Sequence, residues 1–140
     1  MRNGGPSLIV FPEYSSFFVD PMDERLAANA EHLDGEFVTG LIGLAAELAV
    51  VIVAGVTEKA SDEGRVRNTV VAVRGDGILA VYRKQHLYDA FGQTESDWVE
   101  PGDIGEPAVF EVGGVRFGLM TCYDLRFPEL SRRLAVAGAD

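Results

Sequence analysis

Residues 50–56 read Val-Val-Ile-Val-Ala-Gly-Val, a continuous β-branched run with no polar residue on either face. Alternate side chains of a strand point to opposite faces, so a run that is apolar at every position suits a strand covered on both sides. Just upstream, Phe37, Leu41, Leu44 and Leu48 fall at spacings of four, three and four, the stripe of a helix, with Asp34 as its N-cap. Downstream, after the polar loop 58–65, residues 68–73 and 78–82 form two strand-like runs around Gly75-Asp76-Gly77, which is hairpin-turn chemistry. A doubly covered strand between an amphipathic helix and a hairpin points to the α/β class, built in layers.

Toward the N-terminus, Leu8-Ile9-Val10-Phe11 is a second buried-type strand, ended by Pro12 and followed by Glu13. Residues 20–32 suit a loop and a short helix with Asp23 and Glu24 in its first turn. Regular patterning disappears over 83–105, and a loop of that length in a compact domain is usually functional or disordered. Residues 107–112, Gly113-Gly114 and 115–121 form a second hairpin, and 127–137 a helix with Pro128 near its first position and Gly138 as its stop. The expected order is therefore β, α, α, β, β, β, long loop, β, β, α in a mixed sheet. No internal repeat or Pro/Ser-rich linker divides residues 1–140, which read as one unit. An amphipathic helix packed on a sheet normally leads to another strand, so this unit is expected to be part of a larger domain.

Of the 140 residues, 47% are hydrophobic, which excludes disorder. Twelve Lys and Arg against 22 Asp and Glu give a net charge of −10, which repels a phosphate backbone and argues against nucleic acid as a partner. The longest apolar run, 45–56, is interrupted by Glu47 and is too short to span a bilayer, so no membrane partner is expected. The opening MRNGGPS has none of the apolar length of a secretory leader. One cysteine excludes an internal disulfide, and with two histidines it makes a poor zinc set, so neither a metal nor another cofactor is expected. A reduced, cytoplasmic setting follows as the expectation.

The lone Cys122 sits where an apolar strand meets a turn and then a helix. Oriented amides at such a turn favour a thiolate, so the position suits a nucleophile, although most lone cysteines are small buried hydrophobes. His86 and His32 are available as bases, yet no His-dependent cysteine protease signature surrounds Cys122. Two other reactive groups also stand at strand ends: Glu13 after the first strand and Lys84 after residues 78–82. Taken singly, Glu13 reads more readily as a capping or loop carboxylate and Lys84 as a surface lysine. Together a carboxylate, an ammonium and a thiol at three strand ends suit a site, because ligands of open α/β sheets collect there.

Three windows carry a resemblance: LIVFPEYS (8–15), YRKQHLYDAFGQTES (82–96) and GLMTCYDLRFPEL (118–130). They are similar, in order and spacing, to the signature blocks of the carbon–nitrogen hydrolase family, the nitrilase superfamily. The third block is most like the Nit-type amidase branch. The resemblance implies part of a four-layer αββα sandwich in proteins roughly twice this length, so that residues 1–140 would be an incomplete domain. It also implies a triad in which Glu13 is the general base, Lys84 stabilises the oxyanion and Cys122 is the nucleophile.

In the loop after the lysine, Glu95 best matches the second glutamate such proteins carry, and Glu100 matches less well. The backbone N–H of Tyr123 takes the second oxyanion place. Tyr14, Tyr88, Phe91 and Trp98 are expected in the pocket wall, and Asp124, Arg126 and Glu129 as an ion-pair set fixing the turn after Cys122. The implied substrate is a small amide, hydrolysed through a thioester without a cofactor, and the implied assembly is a homodimer or higher homo-oligomer through the helix 127–137. A nitrilase or N-carbamoyl hydrolase of the same superfamily and a non-catalytic fragment acting by association are the alternatives. Alone, these 140 residues are expected to be weakly active or inactive.

Overall fold

A computed structural model describes residues 7–140; the opening residues 1–6, on which the expectation of no secretory leader largely rests, lie outside the described part. Strand β1 (Leu8–Val10) is followed by α1 (Arg25–Ala28), α2 (Glu36–Leu48), β2 (Val51–Lys59), β3 (Val66–Arg74) and β4 (Gly77–Arg83). After the long loop come β5 (Val109–Val112), β6 (Val115–Gly118) and α3 (Pro128–Val136). The first four strands form one mixed sheet in the order β1-β2-β3-β4, with β1 parallel to β2 and the other pairs antiparallel. The β5–β6 hairpin is a separate two-stranded sheet. Its turn is Gly113-Gly114 with φ of 62° and 88°, the paired left-handed conformation that a two-residue hairpin turn requires and that glycine adopts without strain.

Strand β2 is the spine of the core, buried at every position from Val51 to Glu58. Ile52, Ala54 and Val56 face α2, meeting Val38, Leu41 and Ala45 together with Val71 and Val73. Val51 and Val53 face the other way, onto Val70, Ala72, Phe110, Leu119 and two residues of α3, Leu130 and Leu134. The layers are thus α2, the four-stranded sheet, and a cover made of the hairpin and α3. Among the described residues no helix is long and apolar enough to cross a membrane.

Several local expectations need correction. The buried stripe of α2 is Val38-Leu41-Ala45, while Leu44 and Leu48 are exposed. The helix is apolar on more than one side, so spacing alone does not select the side that meets the sheet. Its N-cap is Gly35 rather than Asp34, and the Phe37 N–H donates to the Glu31 carboxylate at 3.0 Å. The helix expected within 20–32 is a single turn. Strand β2 runs on through Glu58, whose carboxylate stays buried because the Thr69 hydroxyl and the Arg83 guanidinium donate to it at 2.6–2.7 Å. Strand β6 stops at Gly118, because Thr121 instead caps a 3-10 turn, Cys122–Arg126.

Candidate active site

Glu13 is brought in by a close backbone crossing. The Gly55 N–H donates to the Pro12 carbonyl at 3.2 Å, and a Cβ at Gly55 would lie 2.8 Å from the Glu13 Cα and carbonyl carbon. Only glycine admits that approach, and Tyr14 completes the bend at φ 55°. Lys84 leaves the end of β4, with its N–H donating to the Asn68 carbonyl of β3 at 2.8 Å and its carbonyl accepting from the Gly102 N–H. Glu95 starts a short 3-10 turn, Glu95–Asp97, inside the long loop. That loop is fastened to the start of β3 by the Val66 N–H to the Trp98 carbonyl and the Glu100 N–H to the Val66 carbonyl.

These segments bring three charges together. Lys84 Nζ donates to Glu13 Oε1 at 3.1 Å and to Glu95 Oε1 and Oε2 at 3.1 and 2.9 Å. The Lys84 and Glu95 side chains are 2% and 4% exposed, whereas Glu13 is 26% exposed. Glu95 accepts three further hydrogen bonds, from the Tyr14 hydroxyl at 3.0 Å, the Tyr88 N–H at 2.7 Å and Asn68. Asn68 Nδ2 joins the two carboxylates, at 2.7 Å from Glu13 Oε1 and 3.2 Å from Glu95 Oε1.

Burial pushes the Lys84 ammonium toward neutrality, but the hydrogen bonds and charges of Glu95 and Glu13 outweigh it and hold the group above its ordinary value. Burial, then the charge and hydrogen bond of Glu95, raise the Tyr14 phenol far above the usual range, so it is a neutral donor.

Cys122 opens the 3-10 turn at φ 51°, a strained left-handed conformation for a residue with a Cβ. Its exposed thiol shares one cleft of about 560 Å³ with Glu13, Lys84 and Glu95, walled by Tyr14, Tyr88 and Trp98. The thiol titrates above its ordinary value: burial and the Glu13 charge raise it, Lys84 opposes them, and Glu95 adds to the rise. This reverses the expected thiolate. A turn of five residues offers few oriented amides, and two nearby carboxylates outweigh one lysine. The first N–H bonded within that turn is that of Asp124, to the Thr121 carbonyl at 3.1 Å, so the N–H groups of Cys122 and Tyr123 before it have no acceptor in the turn and face a ligand oxygen freely.

A second set of contacts ties this turn to the lysine. The buried Asp124 carboxylate accepts from the Tyr82 hydroxyl at 2.7 Å and from the N–H groups of Thr121 and His86, each at 3.2 Å. It also meets the His86 ring at 2.7 Å, and that ring stacks on Phe127 with centroids 3.7 Å apart. Asp124 therefore caps the turn two residues after the thiol and grips the loop two residues after Lys84. The expected Asp124, Arg126 and Glu129 ion-pair set is replaced: Asp124 pairs with His86, Glu129 with Arg132, and Arg126 has no ion pair among the described residues.

Of the remaining candidates, Phe91 is 97% exposed and does not line the cleft. Glu100 lies outside the cluster, paired with Arg67 and Ser61. His86 is committed to Asp124 rather than the thiol, and His32 lies away from the cleft. Among the described residues no group of three or more His, Cys, Asp or Glu side chains is placed to hold a metal ion. Asn68 and the Asp124 brace were not singled out from the sequence. An Asn in a valine-rich strand and an Asp beside Cys122 are the only hints it offers.

The pattern of the carbon-nitrogen hydrolase family matches residues 1–140. The chain belongs to that family. It is 44% identical over 139 residues to Hydrolase Rv0480c of Mycobacterium tuberculosis, covering 96% of this chain and 47% of that protein. It is 39% identical over 134 residues to the deaminated glutathione amidase of Escherichia coli O157:H7, covering 96% of this chain and 50% of that one. Among solved structures, it matches a mutant of the Nesterenkonia sp. AN1 amidase in which acrylamide has added to the active-site cysteine. That match has a TM-score of 0.77 at 25% identity and covers 96% of this chain and 51% of that one. The chain thus spans about half the length of the curated relatives it matches.

Proposed function

We propose that this chain carries the catalytic groups of an amidase-type carbon–nitrogen hydrolase acting on a small linear amide through a thioester on Cys122. The observation that carries this reading is the single cleft in which a buried ammonium bridges two carboxylates beside a free thiol. Because the thiol rests protonated, it needs a base, and Glu13 is the more exposed carboxylate whose charge acts most strongly on it. The Sγ–H proton passes to Glu13 as sulfur attacks the carbonyl carbon. Lys84 Nζ and the Tyr123 N–H receive the oxyanion; removing one such donor costs about 3–4 kcal/mol in transition-state stabilisation.

Glu13 then gives its proton to the leaving nitrogen as the C–N bond breaks and ammonia or an amine departs. Water, deprotonated by Glu13, hydrolyses the thioester and returns the thiol. Glu95 keeps Lys84 charged in a site that would otherwise neutralise it. Relatives named amidase and deaminated glutathione amidase support the amide class. The cleft's charged lining supports a small polar substrate, which would sit in the larger sandwich of the family. A cytoplasmic setting suits a free nucleophilic thiol, and the exposed Leu125 just before α3 and Val136 at its end suit a homodimer contact there.

The test is intact-protein mass spectrometry after mixing with a panel of small aliphatic amides, for the wild type and Cys122→Ala. An acyl adduct confined to the wild type is the expected result, with turnover falling at least ~10³-fold in the variant. Equal adducts on both proteins would overturn the proposal.

A further inference from the structure

We infer that Asn68 is a positioning residue that decides which of the two glutamates acts as the base; this rests on the reading of Glu13 as that base. The two carboxylates are chemically alike and share one lysine, yet their surroundings differ. Glu95 is saturated: Tyr14, Asn68 and Lys84 donate to Oε1, and Lys84 and the Tyr88 N–H donate to Oε2. Glu13 is held by one oxygen only. Asn68 and Lys84 both donate to its Oε1, and among the described residues no protein donor hydrogen-bonds its Oε2. A carboxylate gripped by one oxygen has the other fixed in direction and free to take a proton.

Asn68 sets this asymmetry from a fully buried position in β3, 1% exposed. Its 2.7 Å contact to Glu13 is the shorter of its two, and its own carbonyl accepts the Lys84 N–H at 2.8 Å. One residue therefore anchors the lysine through its backbone and the base through its side chain. The amide orientation follows from charge, because only the NH₂ end suits two anions. The cost is visible in the structure: Asn68 Oδ1 is buried with no hydrogen-bond partner. An unsatisfied buried carbonyl is destabilising, so a purely structural role would be served better by an apolar side chain in this valine-rich strand.

A double-mutant cycle in the full-length protein tests this, following amide hydrolysis at saturating and limiting substrate. Asn68→Leu keeps the branched shape, with a bulkier tip, and removes both donors. Its kcat is expected to fall about 10²-fold, the size of a misplaced reacting group, with KM nearly unchanged. Thr69→Val, on the opposite face of β3 where its hydroxyl serves Glu58, is the control for lost stability and keeps its kcat. Combining Asn68→Leu with Glu13→Gln adds no further loss beyond Glu13→Gln alone, because Asn68 acts through Glu13.

The inference is overturned by Asn68→Leu with wild-type kcat, or by losses that multiply with Glu13→Gln and instead saturate with Glu95→Gln. If Glu13→Gln itself turns over normally, the reading of Glu13 as base fails and takes this inference with it. That result is told apart by its occurring in the single Glu13 variant.

Discussion

The two ends of the cleft are built in opposite ways. At one end Lys84, Glu95, Asn68 and Tyr14 lie deep, joined by side-chain hydrogen bonds and rooted in the four-stranded sheet and the loop strapped to it. At the other, Cys122 stands exposed on a strained turn that follows the two-stranded hairpin, tied back by the buried Asp124 and by aromatic contacts of Tyr123 and Phe127 with Tyr88 and His86. The difference separates two duties. The charged end has to hold like charges together without water, which demands burial and saturation with donors. The thiol end has to meet a substrate, which demands access.

Lys84→Met breaks this comparison hardest, since it leaves Glu13 and Glu95 facing one another without a cation. Removing one partner of such a buried set costs about 3–5 kcal/mol, readable by urea unfolding, and the loss shrinks in acid as one carboxylate is neutralised. Lys84 also holds the thiol down, so the variant's Cys122 titrates higher still and iodoacetamide alkylation at neutral pH slows.

Glu13→Gln sharpens the contrast by moving two readouts in opposite directions. It removes the nearby negative charge that helps raise the thiol, so Cys122 titrates lower, the thiolate fraction at neutral pH rises and alkylation speeds up. Amide turnover meanwhile falls about 10²–10⁴-fold with loss of the general base. Both rates falling together would show that Glu13 does not set the thiol's protonation.

Asp124→Asn probes the tie between the ends. It points an NH₂ group at donors that Asp124 now satisfies, costing about 1–3 kcal/mol in thermal or urea unfolding. Acylation slows while the Lys84 cluster stays intact, so alkylation by a small reagent changes less than amide turnover does.

The doubly buried β2, both hairpins and α3 were legible because they depend on local patterning and on turn residues whose backbone preferences are strong. The register of α2 was not, because an apolar helix offers several faces and the sheet decides among them. Glu13, Lys84 and Cys122 were legible as candidates because each is a reactive side chain beside a strand end, whereas Glu95 entered only through the family resemblance. Asn68 was hidden inside β3, where nothing local sets it apart from a tolerated polar residue; its partners lie 55 and 27 positions away. Asp124 pointed to an ion pair with neighbours in sequence, whereas burial directs it to Tyr82 and His86 from another sheet and loop. Phe91 looked like a wall residue by type alone, and its backbone, at φ 53°, is part of a loop bend that turns it to solvent.

Since Cys122 and Glu13, the proposed nucleophile and base, follow strands of different sheets, their separation gauges how firmly the hairpin is seated on the larger sheet. A slight lifting of that hairpin, far short of unfolding, would part sulfur from carboxylate and silence the chemistry while circular dichroism still registered a native protein. Loss of activity during gentle heating or dilute urea should therefore run ahead of any loss of secondary structure, with the seam between the sheets as the first part to give way.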